Sequence, residues 1–244
     1  MVQNMNILIA DITNKCNLRC NHCYYYREDY PKNELSNEEW IEIFEKEKPD
    51  LIVFLGGEPM LRFPLINFLS SYSKINIINT NGLFTLPMNN GFQFIISIDG
   101  TEKFHNAIRG EGTYEIIKRN IRKDCIIAMT ITEQNKSCIK EFYNEWKDKV
   151  KGIRFNFYSP YSENDHQTVT NKNEIIEELK DIDTLNAYEE LEAWKEENIE
   201  ETRRQCVKKN GNIKRLNCMG NSKICNNKFC SANYCYLPKI IKVI

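Results

Sequence analysis

Asp50-Leu51-Ile52-Val53-Phe54-Leu55-Gly56-Gly57-Glu58-Pro59 runs from an unbroken apolar stretch into two glycines, an acid and a proline. So short a run, without the alternation of a half-exposed strand, reads as a strand covered on both faces, the mark of a parallel sheet between other layers. Upstream, Ser36 caps a helix predicted over residues 37–48, with Glu38 and Glu39 in its first turn and Pro49 ending it. Residues 6–12 read as a first strand. Downstream, helix is expected over 65–73, 113–122 and 136–149, and strand over 75–78, 92–98, 125–131 and 152–158. Six strands alternating with helices predict an α/β fold with a parallel sheet and helices outside. Six units within the first 158 residues are too few to close an eight-stranded barrel, so the expected core is an open, partial (β/α)6 barrel over residues 1–160. Residues 161–200 read as a charged connection, helical over 171–198, and 201–244 as a small, irregular cysteine-rich module.

The chain has 244 residues and a formal net charge of −1, so no whole-protein field points to nucleic acid or to an anionic membrane. No stretch approaches the roughly 20 apolar residues that span a bilayer. The N-terminal MVQNMNILIADIT lacks the basic start and long apolar run of a signal peptide. A cytoplasmic location is therefore expected. In a reducing compartment the ten cysteines do not suggest a disulfide scaffold. Three fall within residues 16–23 and five within 206–235, and clustered thiols point first to metal. The isolated Cys125 and Cys138, in a strand and at a helix start, read as core residues.

Directly after the first strand comes Asn14-Lys15-Cys16-Asn17-Leu18-Arg19-Cys20-Asn21-His22-Cys23. Three thiolates so spaced fit three corners of one [4Fe–4S] cube and leave one iron open. Zinc would want a fourth ligand nearby, and His22 lies poorly directed between two of the cysteines. Free core thiols are the third alternative. After the second strand, Gly56 and Gly57 allow close backbone approach to a ligand, and Glu58 can receive an ammonium group.

This CxxxCxxC loop after the first strand resembles the hallmark of the radical S-adenosylmethionine (SAM) superfamily. The resemblance implies that Cys16, Cys20 and Cys23 hold a catalytic [4Fe–4S] cluster and that SAM chelates the open iron. It further implies that one electron cleaves SAM to a 5′-deoxyadenosyl radical, which takes a hydrogen atom from the substrate. Gly56-Gly57-Glu58 is similar to the family's GGE motif, which makes Glu58 a contact to the SAM amino group. Asn79-Thr80-Asn81-Gly82 resembles the TNG turn. Ser97-Ile98-Asp99-Gly100 implies that Ser97 and Asp99 lie near the SAM ribose and carboxylate, and Arg109 matches a position near that carboxylate. All these groups fall at predicted C-terminal strand ends, where parallel α/β folds bind ligands.

Cys206, Cys218, Cys225, Cys230 and Cys235 sit in a segment with too few apolar residues to fold by burial, so metal is expected to organise it. The segment resembles a reduced SPASM or twitch module, which implies a second, auxiliary [4Fe–4S] cluster on Cys218, Cys225, Cys230 and Cys235. Cys206 is then a spare thiol that could return a hydrogen atom to the substrate. Structural zinc and two auxiliary clusters are the alternatives. The subgroup implies a peptide maturase acting on a ribosomally made peptide by epimerisation or cross-linking. With the first strand near residue 6, no leader-binding domain is expected ahead of it. The alternatives are a small-molecule dehydrogenase or epimerase acting on an aminocyclitol or sugar, and a non-catalytic electron carrier. A flavodoxin or ferredoxin is the expected electron donor.

Overall fold

The computed structural model describes residues 5–23, 34–88, 91–158, 166–186, 191 and, as backbone, 212–216. Buried apolar side chains at every position from Ile7 to Ala10 give β1 (Asn6–Thr13) two buried faces. The same holds for β2 (Leu51–Gly56), as its unbroken apolar run predicts. With β3 (Ile75–Thr80), β4 (Phe92–Ser97), β5 (Ile126–Ile131) and β6 (Gly152–Phe157) they form one parallel sheet in sequence order, as expected. A seventh strand, β7 (Asn212–Leu216), was not foreseen. It pairs in parallel with β1, from Asn6 opposite Asn212 to Ala10 opposite Leu216, so the order is β6-β5-β4-β3-β2-β1-β7. Its sequence, Asn212-Ile-Lys-Arg-Leu216, carries only two apolar residues and lies among cysteines, asparagines and lysines. Pairing on a sheet edge needs backbone groups rather than a hydrophobic pattern, so composition concealed it.

Parity along the strands separates two cores. Ile7, Ile9, Leu51, Val53, Ile77, Ile95 and Ile126 form a small apolar floor on one face, closed by Leu185. Leu8, Ala10, Ile52, Phe54, Ile78, Phe94, Ile96 and Ile127 face the other way, into a larger core beneath the helices. Each large side chain so buried contributes ~1.5–3 kcal/mol. Trp40 and Phe44 come from α1 (Asn37–Glu47), and Leu65, Ile66 and Leu69 from α2 (Phe63–Leu69). Ile139, Phe142 and Trp146 come from α5 (Ile139–Trp146), and Ile175, Ile176 and Leu179 from α6 (Lys172–Lys180).

Ser36 caps α1 as predicted, and the cap is reciprocal: its hydroxyl accepts from Glu39 N–H at 3.1 Å while Glu39 Oε2 accepts from Ser36 N–H at 2.7 Å. The expected 65–73 helix is shorter, α2 giving way to a 3-10 turn over Ser70–Tyr72. Helix α3 (Glu102–Arg109) is an element the sequence did not announce. Of its three buried residues two, His105 and Asn106, are polar, which breaks the apolar period. Asn106 earns its burial by accepting from Tyr114 N–H at 3.1 Å, serving α4 (Thr113–Asn120), whose N-cap Gly112 has no side chain to do so. Among the described residues no helix is long and apolar enough to cross a membrane.

Candidate functional site at the C-terminal strand ends

The loop after β1 is joined to the turn after β2. Gly57 N–H donates to Thr13 O at 2.7 Å and Glu58 N–H to Lys15 O at 2.8 Å. A Cβ on Gly57 would lie 2.2 Å from Lys15 O, and one on Gly56, whose φ is +133°, would lie 2.2 Å from Thr13 O. The close approach these glycines permit is thus to the chain's own cysteine loop. Glu34 Oε1 fastens the loop's base, accepting from Thr13 Oγ1 at 2.8 Å and Asn14 N–H at 2.7 Å.

On this loop Cys16, Cys20 and Cys23 are all half-buried and in no disulfide. Cys16 Sγ takes Leu18 N–H at 3.4 Å and lies 4.0 Å from Asn81 Nδ2. Burial pushes the Cys20 thiol up to about 11, with the Arg109 charge opposing it. Both Cys16 and Cys20 sense the charge of Cys23. Three neighbouring thiols, partly open, with N–H groups at Cys16 and Cys20, are a donor set that suits an iron–sulfur cluster. Among the described residues no three Cys, His, Asp or Glu side chains converge as a single ion requires.

Glu58 is 1% exposed and joins three elements. Its Oε1 accepts from Met60 N–H at 3.0 Å and Thr80 Oγ1 at 2.7 Å, and its Oε2 from Asn81 N–H at 2.8 Å. Burial pushes its carboxyl above the usual range against these three donors and the more distant Arg109. Asn81 then reaches across the mouth, its Nδ2 donating to Asn17 Oδ1 at 2.8 Å. Gly56, Gly57, Glu58, Asn81 and Cys16 therefore form one contiguous group.

A second group stands behind Cys20. Asp99 is wholly buried, and its partners come from three elements: Arg109 Nε at 2.6 Å, Thr130 N–H at 2.9 Å and His22 Nε2 at 3.4 Å. Although burial opposes its charge, the Arg109 guanidinium holds this carboxyl below the usual range. Arg109 Nη1 lies 4.0 Å from Cys20 Sγ. Ser97, half-buried, shares its sheet face with Ile95 of the apolar floor. His22, weighed in the sequence only as a zinc ligand, joins the cysteine loop to Asp99, and its ring meets Tyr158 edge-on at 6.5 Å. No spacing in the sequence signals that contact.

Above the apolar floor the concave face turns polar. Asn79 Oδ1 and Asn156 Oδ1 are buried there without a hydrogen-bond partner among the described residues. A cleft of about 290 Å³ opens beside the loop, lined by Asn21, Gln134, His166 and Gln167. Cys206, Cys218, Cys225, Cys230 and Cys235 lie outside the described residues.

Comparison with known proteins gives a consistent result. The sequence profile described as the radical SAM superfamily matches residues 11–145, more than half of the chain. Pre-heme d1 synthase of Dinoroseobacter shibae is 30% identical over 156 residues, covering 55% of this chain and 39% of that protein. The sporulation killing factor maturation protein SkfB of Bacillus subtilis is 32% identical over 146 residues, covering 51% of this chain and 35% of that one. The chain thus spans well under half the length of these curated relatives. Native anSMEcpe, solved with bound AdoMet and Cp18Cys peptide, shares the fold with a TM-score of 0.63 at 17% identity, over 91% of this chain and 74% of that one.

Proposed function

The chain belongs to the radical SAM superfamily, and from that premise we propose that it cleaves SAM reductively to modify a ribosomally made peptide. The observation that carries this reading is the contiguous group of Cys16, Glu58 and Asn81, joined across the ends of β1, β2 and β3. Cys16, Cys20 and Cys23 hold the catalytic [4Fe–4S] cluster. When bound, it supplies the electron that breaks a sulfur–carbon bond of SAM, and so the radical that takes a hydrogen atom from the substrate. Glu58 supplies a buried negative charge beside the loop for the SAM ammonium group. Gly56 and Gly57 bring that charge close to the thiols, and Ser97 faces the concave side where SAM would lie.

The substrate reading rests on relatives and on the lining of the site. SkfB is named for the maturation of a killing factor, and anSMEcpe was solved with a peptide. The cleft offers two glutamines, an asparagine and a histidine, and the concave face two unmet amide oxygens. Such a lining suits a neutral, donor-rich ligand such as a peptide backbone. A small-molecule substrate is the second reading, favoured by the similarity to pre-heme d1 synthase. Cys218, Cys225, Cys230 and Cys235 hold an auxiliary cluster in this proposal, with Cys206 spare, and a flavodoxin or ferredoxin supplies electrons.

Anaerobic reconstitution with a reductant and SAM tests the proposal. The wild type should yield 5′-deoxyadenosine and carry about eight irons from two four-iron cubes. Replacing Cys16, Cys20 and Cys23 by Ala should abolish the product and halve the iron. Continued SAM cleavage by that triple variant would sink the central claim. Four irons with one zinc in the wild type would make the C-terminal cysteines structural. Peptides encoded beside the gene are the substrates to incubate first, with a mass or stereochemical change as the readout.

A further inference from the structure

Arg109 is the one guanidinium that the described contacts bring to a thiol of the cysteine loop. Its side chain is 10% exposed and its Nε is committed to Asp99 at 2.6 Å. Asp99 cannot turn away, because its other oxygen holds Thr130 N–H at 2.9 Å. The fork is therefore fixed with Nη1 toward Cys20 Sγ, 4.0 Å away. The same turn of α3 also grips the loop: Asn21 N–H donates to Ile108 O at 3.0 Å, and Asn21 Nδ2 to Ala107 O at 3.0 Å.

We propose that Arg109 is a positioning residue that sets the electron affinity of the bound cluster through Cys20, with Asp99 aiming the guanidinium. Taking up an electron adds negative charge to the cluster and its thiolates. The Asp99 carboxylate offsets part of the guanidinium charge, but the guanidinium outweighs it at Cys20, where Nη1 faces the sulfur, and that positive end favours the reduced state. Hydrogen bonds to ligating sulfurs are an established lever on such potentials. An Arg109 so engaged differs from one that binds the SAM carboxylate, the role the family resemblance implies. The inference rests on the reading that Cys20 binds the catalytic cluster.

The test is a potentiometric titration without SAM, followed by electron paramagnetic resonance. The signal to watch is the one missing from the Cys16, Cys20 and Cys23 triple variant. Arg109→Met should keep its iron yet show a more negative midpoint, with a smaller reduced fraction at the same applied potential. Arg109→Lys, which keeps the charge but not the fork, should fall between Met and wild type. An unchanged midpoint in an iron-replete Arg109→Met protein would overturn the inference. If SAM affinity alone then dropped, Arg109 would be assigned to SAM. Should Arg109→Met not hold its iron, Arg109→Lys decides, a shifted midpoint supporting the proposal and a wild-type midpoint refuting it. Loss of iron in both variants also refutes it and leaves Arg109 a folding residue. A wild type lacking the diagnostic signal would refute the functional reading instead.

Discussion

Glu58 has a structural duty toward three donors and, on the proposed reading, a binding duty as well, and two substitutions separate them. Glu58→Gln keeps much of the shape that meets Met60, Thr80 and Asn81 but removes the charge. It should weaken SAM binding by roughly ten- to a hundredfold, the value of a charge-assisted contact at ~1.5–3 kcal/mol, while thermal stability falls less than in Glu58→Ala, because the amide nitrogen faces one of these donors but the amide oxygen still meets the rest. Glu58→Ala should lose both. Calorimetric SAM binding equal to that of wild type in the Gln variant would free Glu58 from the ligand. His105 carries a pH effect of its own. Its Nδ1 accepts from Asp99 N–H at 3.1 Å, and burial, then the Arg109 charge, depress its pKa from 6.5 to about 3. The folded protein thus refuses a proton that the unfolded chain binds, so this stability is full above 6.5 and is lost as pH falls toward about 3. In His105→Asn, which retains an acceptor, the urea midpoint should fall less between pH 7 and pH 5 than in wild type; an equal fall would assign the acid sensitivity elsewhere. The candidate residues were picked out by the family motifs they resemble, and the structure places Glu58, Asn81, Ser97 and Asp99 at or just after strand ends and Arg109 at the end of α3. Their directions were not legible in the sequence: nothing in Ser97-Ile98-Asp99-Gly100 indicates that Asp99 is consumed by Arg109, His22 and Thr130.

At the scale of elements, the sequence spoke clearly where hydrophobic period and caps agreed, as for α1, and for the six strands whose apolar runs need no partner to be recognised. It was silent about α3, because that helix buries His105 and Asn106 for hydrogen bonds rather than for apolar area. The omission matters, since the last turn of α3 is the wall against which Asn21 and Cys20 rest. Behind α3 an aromatic series runs outward, His105 against Tyr114 at 5.5 Å and Tyr114 against Trp146 at 6.0 Å, with Trp146 Nε1 donating to Tyr114 Oη at 3.1 Å. It ties α3, α4 and α5 into one support for Asp99. On the opposite side the loop depends on the missing side chain of Gly57. Gly57→Ala would drive a Cβ to 2.2 Å from Lys15 O, a clash of the kind that costs ~1–3 kcal/mol in packed sites. The variant should keep its circular dichroism but take up less iron on reconstitution, and full iron would show that the loop can yield.

At the scale of the molecule, a parallel sheet of six strands with helices outside followed from alternation, whereas the choice of site residues came from the motifs. The seventh strand followed from neither, because its residues carry no strand pattern and only the edge they cover explains them. A chain truncated after residue 200 would leave the outer edge of β1 unpaired, and should scatter light at concentrations where the full chain stays clear. Equal clarity of the two would mean that the edge is protected in another way. The pairing of β1 with β7 also has a consequence in time. The strand that bears the cysteine loop leaves the ribosome ahead of the other described strands, but its last neighbour is about two hundred residues behind it. At ~5–20 residues per second, one side of that strand waits roughly ten to forty seconds for its partner. During that interval the nascent chain displays its thiols beside an open strand edge, so a chaperone that masks such edges would hold the cysteine loop within reach of whatever delivers iron.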